Sequence, residues 1–376
     1  MFKHLTRREL GRVALSGALA ATAPNWSRSS SAQDPIAPGV KLRCQAPENP
    51  TDEDLLFFRQ LGVDSVNVHG DAGGDKSLER MLNLKRRFAD AGLVVDKFDG
   101  PTDDLLPDIL LNRPGRDAAI ETYKTWVRTL AKGGFKYLPE MFDLVGAAQS
   151  GRVEERGSVG RDCDLNSPEL SGPMIKGGAK GPATFLLFGR EYGREEMWAN
   201  YTLFIKEIAP VAEEAGILIG FHPDDPPVPT LFGMARLFSN FEDCKKALKI
   251  ANSPNVGMCL CIGTWAEGGA KMGIDPAGAI RYFASQKQLF EIHFRNVSST
   301  LPHFHETYPD DGYYDMYEVM KALDDVKYDG AVQMDHIIPM VGDGGHSNIP
   351  AGRRTFEAFA IGYMRALQQR AHRARG

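Results

Sequence analysis

Between Gly216 and Asp335 the chain reads Ile217-Leu-Ile-Gly-Phe-His222, then Val256-Gly-Met-Cys-Leu-Cys261, then Leu289-Phe-Glu-Ile-His293, then Ala331-Val-Gln-Met-Asp335. Each is a short, mostly apolar run that ends in a residue able to ligate a metal. Such runs, bounded by other kinds of sequence, read as strands buried on both faces. The segments between them carry helical spacing, as in Phe241 to Ala251 and Asp275 to Ser285. Strands alternating with helices imply a parallel sheet covered by helices.

Working outward, the same rhythm extends toward the N-terminus. Lys41-Leu-Arg-Cys44, Asp64 to His69, Leu93 to Phe98 and Phe135 to Met141 read as four earlier strands. Thr51-Asp-Glu-Asp54 opens a helix with the pattern of a capping box. Ser77 to Ala91, Asp117 to Lys132, Tyr192 to Glu214, Met316 to Val326 and Arg353 to Arg370 also read as helices. Eight strand–helix repeats predict the α/β class and a closed (β/α)8 TIM barrel, whose functional residues lie at the C-terminal ends of the strands. Cys44, His69, Asp96, Glu140, His222, Cys261, His293 and Asp335 occupy those ends. Two stretches break the rhythm. Residues 143 to 190 are Gly/Ser-rich and charged with little periodicity, and read as an insertion or lid on one face of the barrel. Residues 297 to 314 read as a polar, His-rich loop.

The 376 residues carry a formal charge of -5, with no basic runs interleaved with aromatics, which sets nucleic acid aside as a partner. A single barrel domain accounts for residues 37 to 376. Residues 1 to 36 read instead as a targeting segment. Lys3, Arg7 and Arg8 precede a short apolar run from Val13 to Ala23, resembling a twin-arginine export signal. That run is too short to span a bilayer in the mature protein. The expected location is the periplasm, or the cytoplasm if the signal does not act. Five scattered cysteines do not form a disulfide framework. A homo-oligomer is compatible with all of this.

His222, Cys261, His293 and Asp335 make a mixed N/S/O donor set of the kind that holds a first-row divalent metal with positions open to substrate. Cys259, one layer below Cys261 on the same strand face, reads as a small core residue. Asp224 and Asp225, in the rigid His222-Pro-Asp-Asp-Pro-Pro turn, are candidates to bind substrate hydroxyls or to orient a ligating histidine. Arg295 is a candidate clamp for a carboxylate or hydroxyl. Glu306 and the strand-end His69 join them as candidate substrate contacts. His336 follows Asp335 and is a candidate acid or base, as are His305 and His346. His303 reads as a surface histidine.

From Leu218 to Leu367 the sequence resembles the mannonate dehydratase family, a metal-dependent branch of the xylose isomerase-like TIM barrels. The carriers are His222-Pro-Asp-Asp-Pro-Pro, Phe232-Gly-Met-Ala-Arg236, Cys261-Ile-Gly-Thr, His293-Phe-Arg-Asn-Val, Phe304-His-Glu with Asp311-Gly-Tyr-Tyr-Asp-Met-Tyr, and Asp335-His336. The resemblance implies manganese or ferrous iron held by His222, Cys261, His293 and Asp335, and proton transfer by His336. It implies β-elimination of water, or of an alcohol, from a sugar acid such as mannonate or from an oxidised sugar. The departures are local. The place of the family's Phe-Asp-Trp-Thr-Arg run is taken by Met141-Phe-Asp-Leu-Val145, and no tyrosine occurs between Tyr328 and Tyr363. A sugar isomerase or epimerase on the same metal barrel, and a non-catalytic periplasmic sugar-binding protein, are the alternatives.

Overall fold

The computed structural model describes residues 39–68, 76–98, 104–175, 178–343 and 353–375. The expected targeting segment, His69 and His346 lie outside them.

The first half of the barrel sets out as the sequence predicts. Strand β1 (Lys41–Ala46) leads to helix α1 (Asp52–Gln60), whose start is a complete capping box between Thr51 and Asp54. Strand β2 (Ser65–Val68), helix α2 (Leu78–Ala89) and strand β3 (Val94–Phe98) follow. A short helix α3 (Leu106–Leu110) precedes helix α4 (Arg116–Lys132) and strand β4 (Tyr137–Glu140).

The next stretch differs from expectation. It contains a β-hairpin, β5 (Gly151–Glu155) and β6 (Ser158–Asp164). The Arg156-Gly157 turn between these strands has both φ values positive, the backbone of a tight two-residue hairpin.

Helix α5 (Arg194–Ala215) stops at Gly216, in the left-handed conformation that glycine adopts without steric cost. Strand β7 (Leu218–Phe221) then runs into the His222 turn. A small ribbon, β8 (Thr230–Leu231) and β9 (Met234–Ala235), and helix α6 (Phe241–Ala251) lead to β10 (Val256–Cys261). All six residues of β10 are buried, as a strand covered on both faces requires. Helix α7 (Ile262–Gly268) begins directly after Cys261, then come α8 (Pro276–Ser285) and β11 (Leu289–His293). The predicted polar loop after β11 is in fact structured: β12 (Asn296–Val297) and β13 (His303–Thr307) lie within it. Helix α9 (Met316–Asp325), strand β14 (Ala331–Gln333) and helix α10 (Arg354–Ala374) close the chain.

Eight parallel strands close the barrel in the order β1-β14-β11-β10-β7-β4-β3-β2. Beside it stands a four-stranded antiparallel sheet, β12-β13-β6-β5. Here the two irregular stretches of sequence pair with each other: Cys163 opposes Phe304, and Asp162 opposes His305. Their inner faces share a small core of Val145, Cys163, Leu170, Phe232, Leu301 and Phe304. Neither stretch has a periodic pattern of its own because each buries only a few residues, and it buries them against the other. The hairpin is tied to the strand-end segments on two sides. Ala148 N–H donates to the Asp225 carbonyl at 3.2 Å, and Ser158 Oγ donates to the Pro339 carbonyl at 2.6 Å.

Candidate metal centre

His222, Cys261, His293 and Asp335 arrive from β7, β10, β11 and the segment after β14, strands that are mutual neighbours in the barrel. One ligand-type atom from each lies within 4.8 Å of all the others. Cys261 Sγ is 3.6 Å from Asp335 Oδ2, and His293 Nδ1 is 3.5 Å from the same oxygen.

The local structure prepares these atoms for a cation. His222 donates its Nδ1 hydrogen to the Pro223 carbonyl at 2.6 Å, which leaves the Nε2 lone pair facing the cluster. Burial in the mouth pushes the His222 pKa down to about 4, so the ring is neutral and able to ligate. His293 Nδ1 and Asp335 Oδ1 are buried polar atoms with no hydrogen-bond partner. Orphaned atoms of this kind are costly unless a ligand completes them. The donor set and its unsatisfied atoms fit a divalent metal. Cys261 also caps α7, its Sγ accepting from Thr264 N–H.

Around this cluster sits a buried ionic network. Arg161, from the hairpin, reaches Asp225 Oδ1 at 2.9 Å, Glu267 Oε1 at 2.9 Å and Glu306 Oε1 at 2.7 Å. Arg295 reaches Glu267 at 2.7 Å, Asp225 at 2.9 Å, Asp335 Oδ2 at 3.4 Å and Cys261 Sγ at 3.5 Å. Burial alone would raise the carboxyl pKa values of Asp225 and Glu306. For Asp225, Arg161 and Arg295 outweigh it; for Glu306, His336 and Arg161 do, and both stay below the ordinary range. Glu267 goes the other way: burial, then the nearby Asp225, push it well above that range.

Glu306 also accepts from His336 Nδ1. Burial favours neutral His336, but Glu306 and Asp335 outweigh it and hold its pKa above that of an ordinary imidazole. An imidazole anchored through Nδ1 to a carboxylate, one residue past Asp335, keeps Nε2 free of that bond and available for proton exchange.

Several sequence expectations are corrected here. Arg295, Asp225 and Glu306 do not stand open to a substrate. They are buried and bonded to one another, because only such pairing makes their charges tolerable out of water. Asp224 is likewise turned inward, accepting from Phe238 N–H at 2.7 Å, with burial raising its pKa to about 7. His222 is oriented by a backbone carbonyl rather than by either aspartate. His305 does not share the place of His336. Side chains alternate along β13, so with Glu306 turned into the network His305 turns away, its Nε2 3.3 Å from Glu155. His303 is exposed and lies beside Asp162, as a surface histidine would.

The sequence reading passed over Arg161, Glu267 and Glu291. Glu291 did carry a signal, being a charge in the middle of an apolar strand, two residues before a ligand-type residue. Arg161 and Glu267 carried none, since both sit in segments whose structure depends on distant partners. Gly160, next to Arg161, packs so closely on β13 that a Cβ would lie 2.8 Å from the Glu306 carbonyl oxygen. Gly160→Val is expected to cost roughly 1–3 kcal/mol and to lower kcat, read by thermal melting and turnover. An unchanged melting temperature would show that the hairpin yields freely.

The sequence profile of the D-mannonate dehydratase (UxuA) family matches residues 184–375. Mannonate dehydratase of Thermotoga petrophila is 32% identical over 289 residues, covering 69% of this chain and 77% of its own length. Mannonate dehydratase 2 of Halalkalibacterium halodurans is 30% identical, covering 76% and 88%. The crystal structure of mannonate dehydratase from Streptococcus suis superposes with a TM-score of 0.71 at 25% identity, covering 90% of this chain and 96% of that one. An L-ribulose 3-epimerase structure, at 13% identity and a TM-score of 0.56, shares the barrel fold.

Proposed function

The chain belongs to the mannonate dehydratase family of sugar-acid hydro-lyases, and we propose that it removes water from mannonate or a closely related aldonate with manganese or ferrous iron held by His222, Cys261, His293 and Asp335. The observation that carries this reading is the convergence of those four side chains beside His336, whose Nδ1 is bonded to Glu306.

A metal-bound thiol is deprotonated, so Cys261 and Asp335 would bring two negative charges to a divalent ion, with the two histidines as neutral donors.

When bound, the ion would supply Lewis acidity to the substrate oxygens and so acidify the adjacent C–H. A base, for which His346 stands as the candidate, takes that C–H proton, the freed electron pair forms the double bond, and His336 gives its Nε2 proton to the departing β-hydroxyl, which leaves as water. Glu306 holds Nδ1 and fixes the ring, and Arg161 and Arg295 fix Glu306. His336→Asn is expected to retain metal and lose about 10²–10⁴-fold in kcat. An unchanged rate removes His336 from the reaction.

The test is to incubate the purified protein with D-mannonate and other aldonates and follow loss of water by mass spectrometry. Chelation is expected to abolish turnover, and manganese or ferrous iron to restore it. A product of unchanged mass carrying solvent deuterium would mark an epimerase instead, and binding without turnover a sugar-binding protein. Export belongs to the same proposal, supported by Arg7, Arg8 and the apolar run after them. All five cysteines are free and buried, so the fold needs no disulfide. Among the described residues no helix is long and apolar enough to cross a membrane.

A further inference from the structure

One layer beneath the metal-type cluster lies a second group with ligand character: Cys259, Glu291 and His293. His293 belongs to both, and its two ring nitrogens divide between them. Nδ1 faces Asp335 at 3.5 Å and has no hydrogen-bond partner. Nε2 faces down, 3.4 Å from Cys259 Sγ, 3.4 Å from the Gln333 amide and 3.6 Å from Glu291 Oε2. Glu291 lies two residues before His293 on β11, and Cys259 two before Cys261 on β10, so each pair shares one face. Gln333 ends β14, two residues before Asp335.

The lower group has the residue types of a metal site but not its electrostatics. Glu291 is buried between two cations, with Arg43 Nη1 2.7 Å from Oε1 and Lys97 Nζ 3.2 Å from Oε2. An added divalent cation there would have to displace or repel both. Two cations fixed against one carboxylate instead hold that carboxylate ionised and immobile, as an acceptor must be. The Gln333 amide oxygen also lacks a partner, so a turn of that amide would bring a further acceptor to Nε2.

We infer that Glu291, clamped by Arg43 and Lys97, is a positioning residue that keeps the His293 proton on Nε2, so that Nδ1 presents its lone pair to the metal. The lower group is the orienting layer of the one metal site and not a second site. The inference rests on the metal reading above. A carboxylate behind a ligating histidine both fixes its tautomer and strengthens it as a ligand, and removal of such partners weakens metal binding by roughly 10–100-fold.

The experiment measures Mn²⁺ and Co²⁺ stoichiometry and Kd, by competition with a chelating dye, for the full chain, Glu291→Gln and Cys259→Ala. The expected result is one ion per chain throughout, with Kd weakened roughly 10–100-fold in Glu291→Gln. Two ions in the wild type, falling to one in either variant, would make the lower group a metal site and overturn the inference. So would an unchanged Kd in a folded Glu291→Gln. No ion in the wild type would overturn the metal reading itself, and this inference with it. Should Glu291→Gln fail to fold, the wild type decides. Its Co²⁺ form is expected to show, by paramagnetic NMR, two strongly shifted and slowly exchanging ring N–H signals, one from His222 Nδ1 and one from His293 Nε2, and a His293 proton on Nδ1 instead would overturn the assignment.

Discussion

Cys261→Ser is expected to leave a folded protein that no longer holds its metal. The side chain lies at the end of a fully buried strand and differs from serine by one atom, so the barrel has little reason to change. The donor set does change. A thiolate brings charge and softness, and a serine hydroxyl remains neutral and hard. Even outer partners of a metal ligand are worth about 10–100-fold in affinity, so loss of a ligand should cost at least that. Arg295 compounds the effect, since its guanidinium lies 3.5 Å from the sulfur and would face a neutral oxygen. Metal analysis after gel filtration, beside a turnover assay, makes the comparison. Full occupancy in the variant would remove Cys261 from the site.

The second large effect is on stability. Arg161→Met is expected to destabilise the protein by about 3–5 kcal/mol, because it strands buried carboxylates that Arg161 now pairs. Asp225, Glu267 and Glu306 each lose a bond of 2.9 Å or less. For a chain of this size that lowers the melting temperature on the order of 10 °C. Arg161→Lys should recover only part of it, since an ammonium cannot match a planar fork that serves three carboxylates. Turnover should fall as well, because Glu306 anchors His336. A melting temperature within a degree or so of wild type would mean that Arg295 alone balances the network.

The difference between these two residues shows what a sequence discloses. Cys261 was legible because a buried parallel strand advertises itself by an unbroken apolar run, and the residue that ends it lies where barrel chemistry occurs. The same logic singles out His222, His293 and Asp335, and it reads the whole barrel with them. Arg161 was invisible because its environment is made by pairing β6 with β13, two segments far apart in the chain, neither of which has a periodic pattern alone. Arg295, Asp225 and Glu306 were noticed but given the wrong setting. Residue type and position announce a charge near the mouth. Whether that charge meets a substrate or another side chain depends on what the hairpin delivers. His305 failed for a simpler reason: the loop that was expected to carry it is a strand, and alternation turned it outward.

The bonds of Arg161 span 64 positions of chain to Asp225, 106 to Glu267 and 145 to Glu306. Contacts of such separation carry a larger loop-closure cost, so they are expected to form late in folding. The strands that carry the four ligand-type residues can pair with near neighbours in sequence, but the charges around them are balanced only once the hairpin has docked. Metal uptake by a refolding chain would therefore mark the end of folding rather than its beginning, and a chain stalled before that step would carry all four ligand-type residues without a finished site.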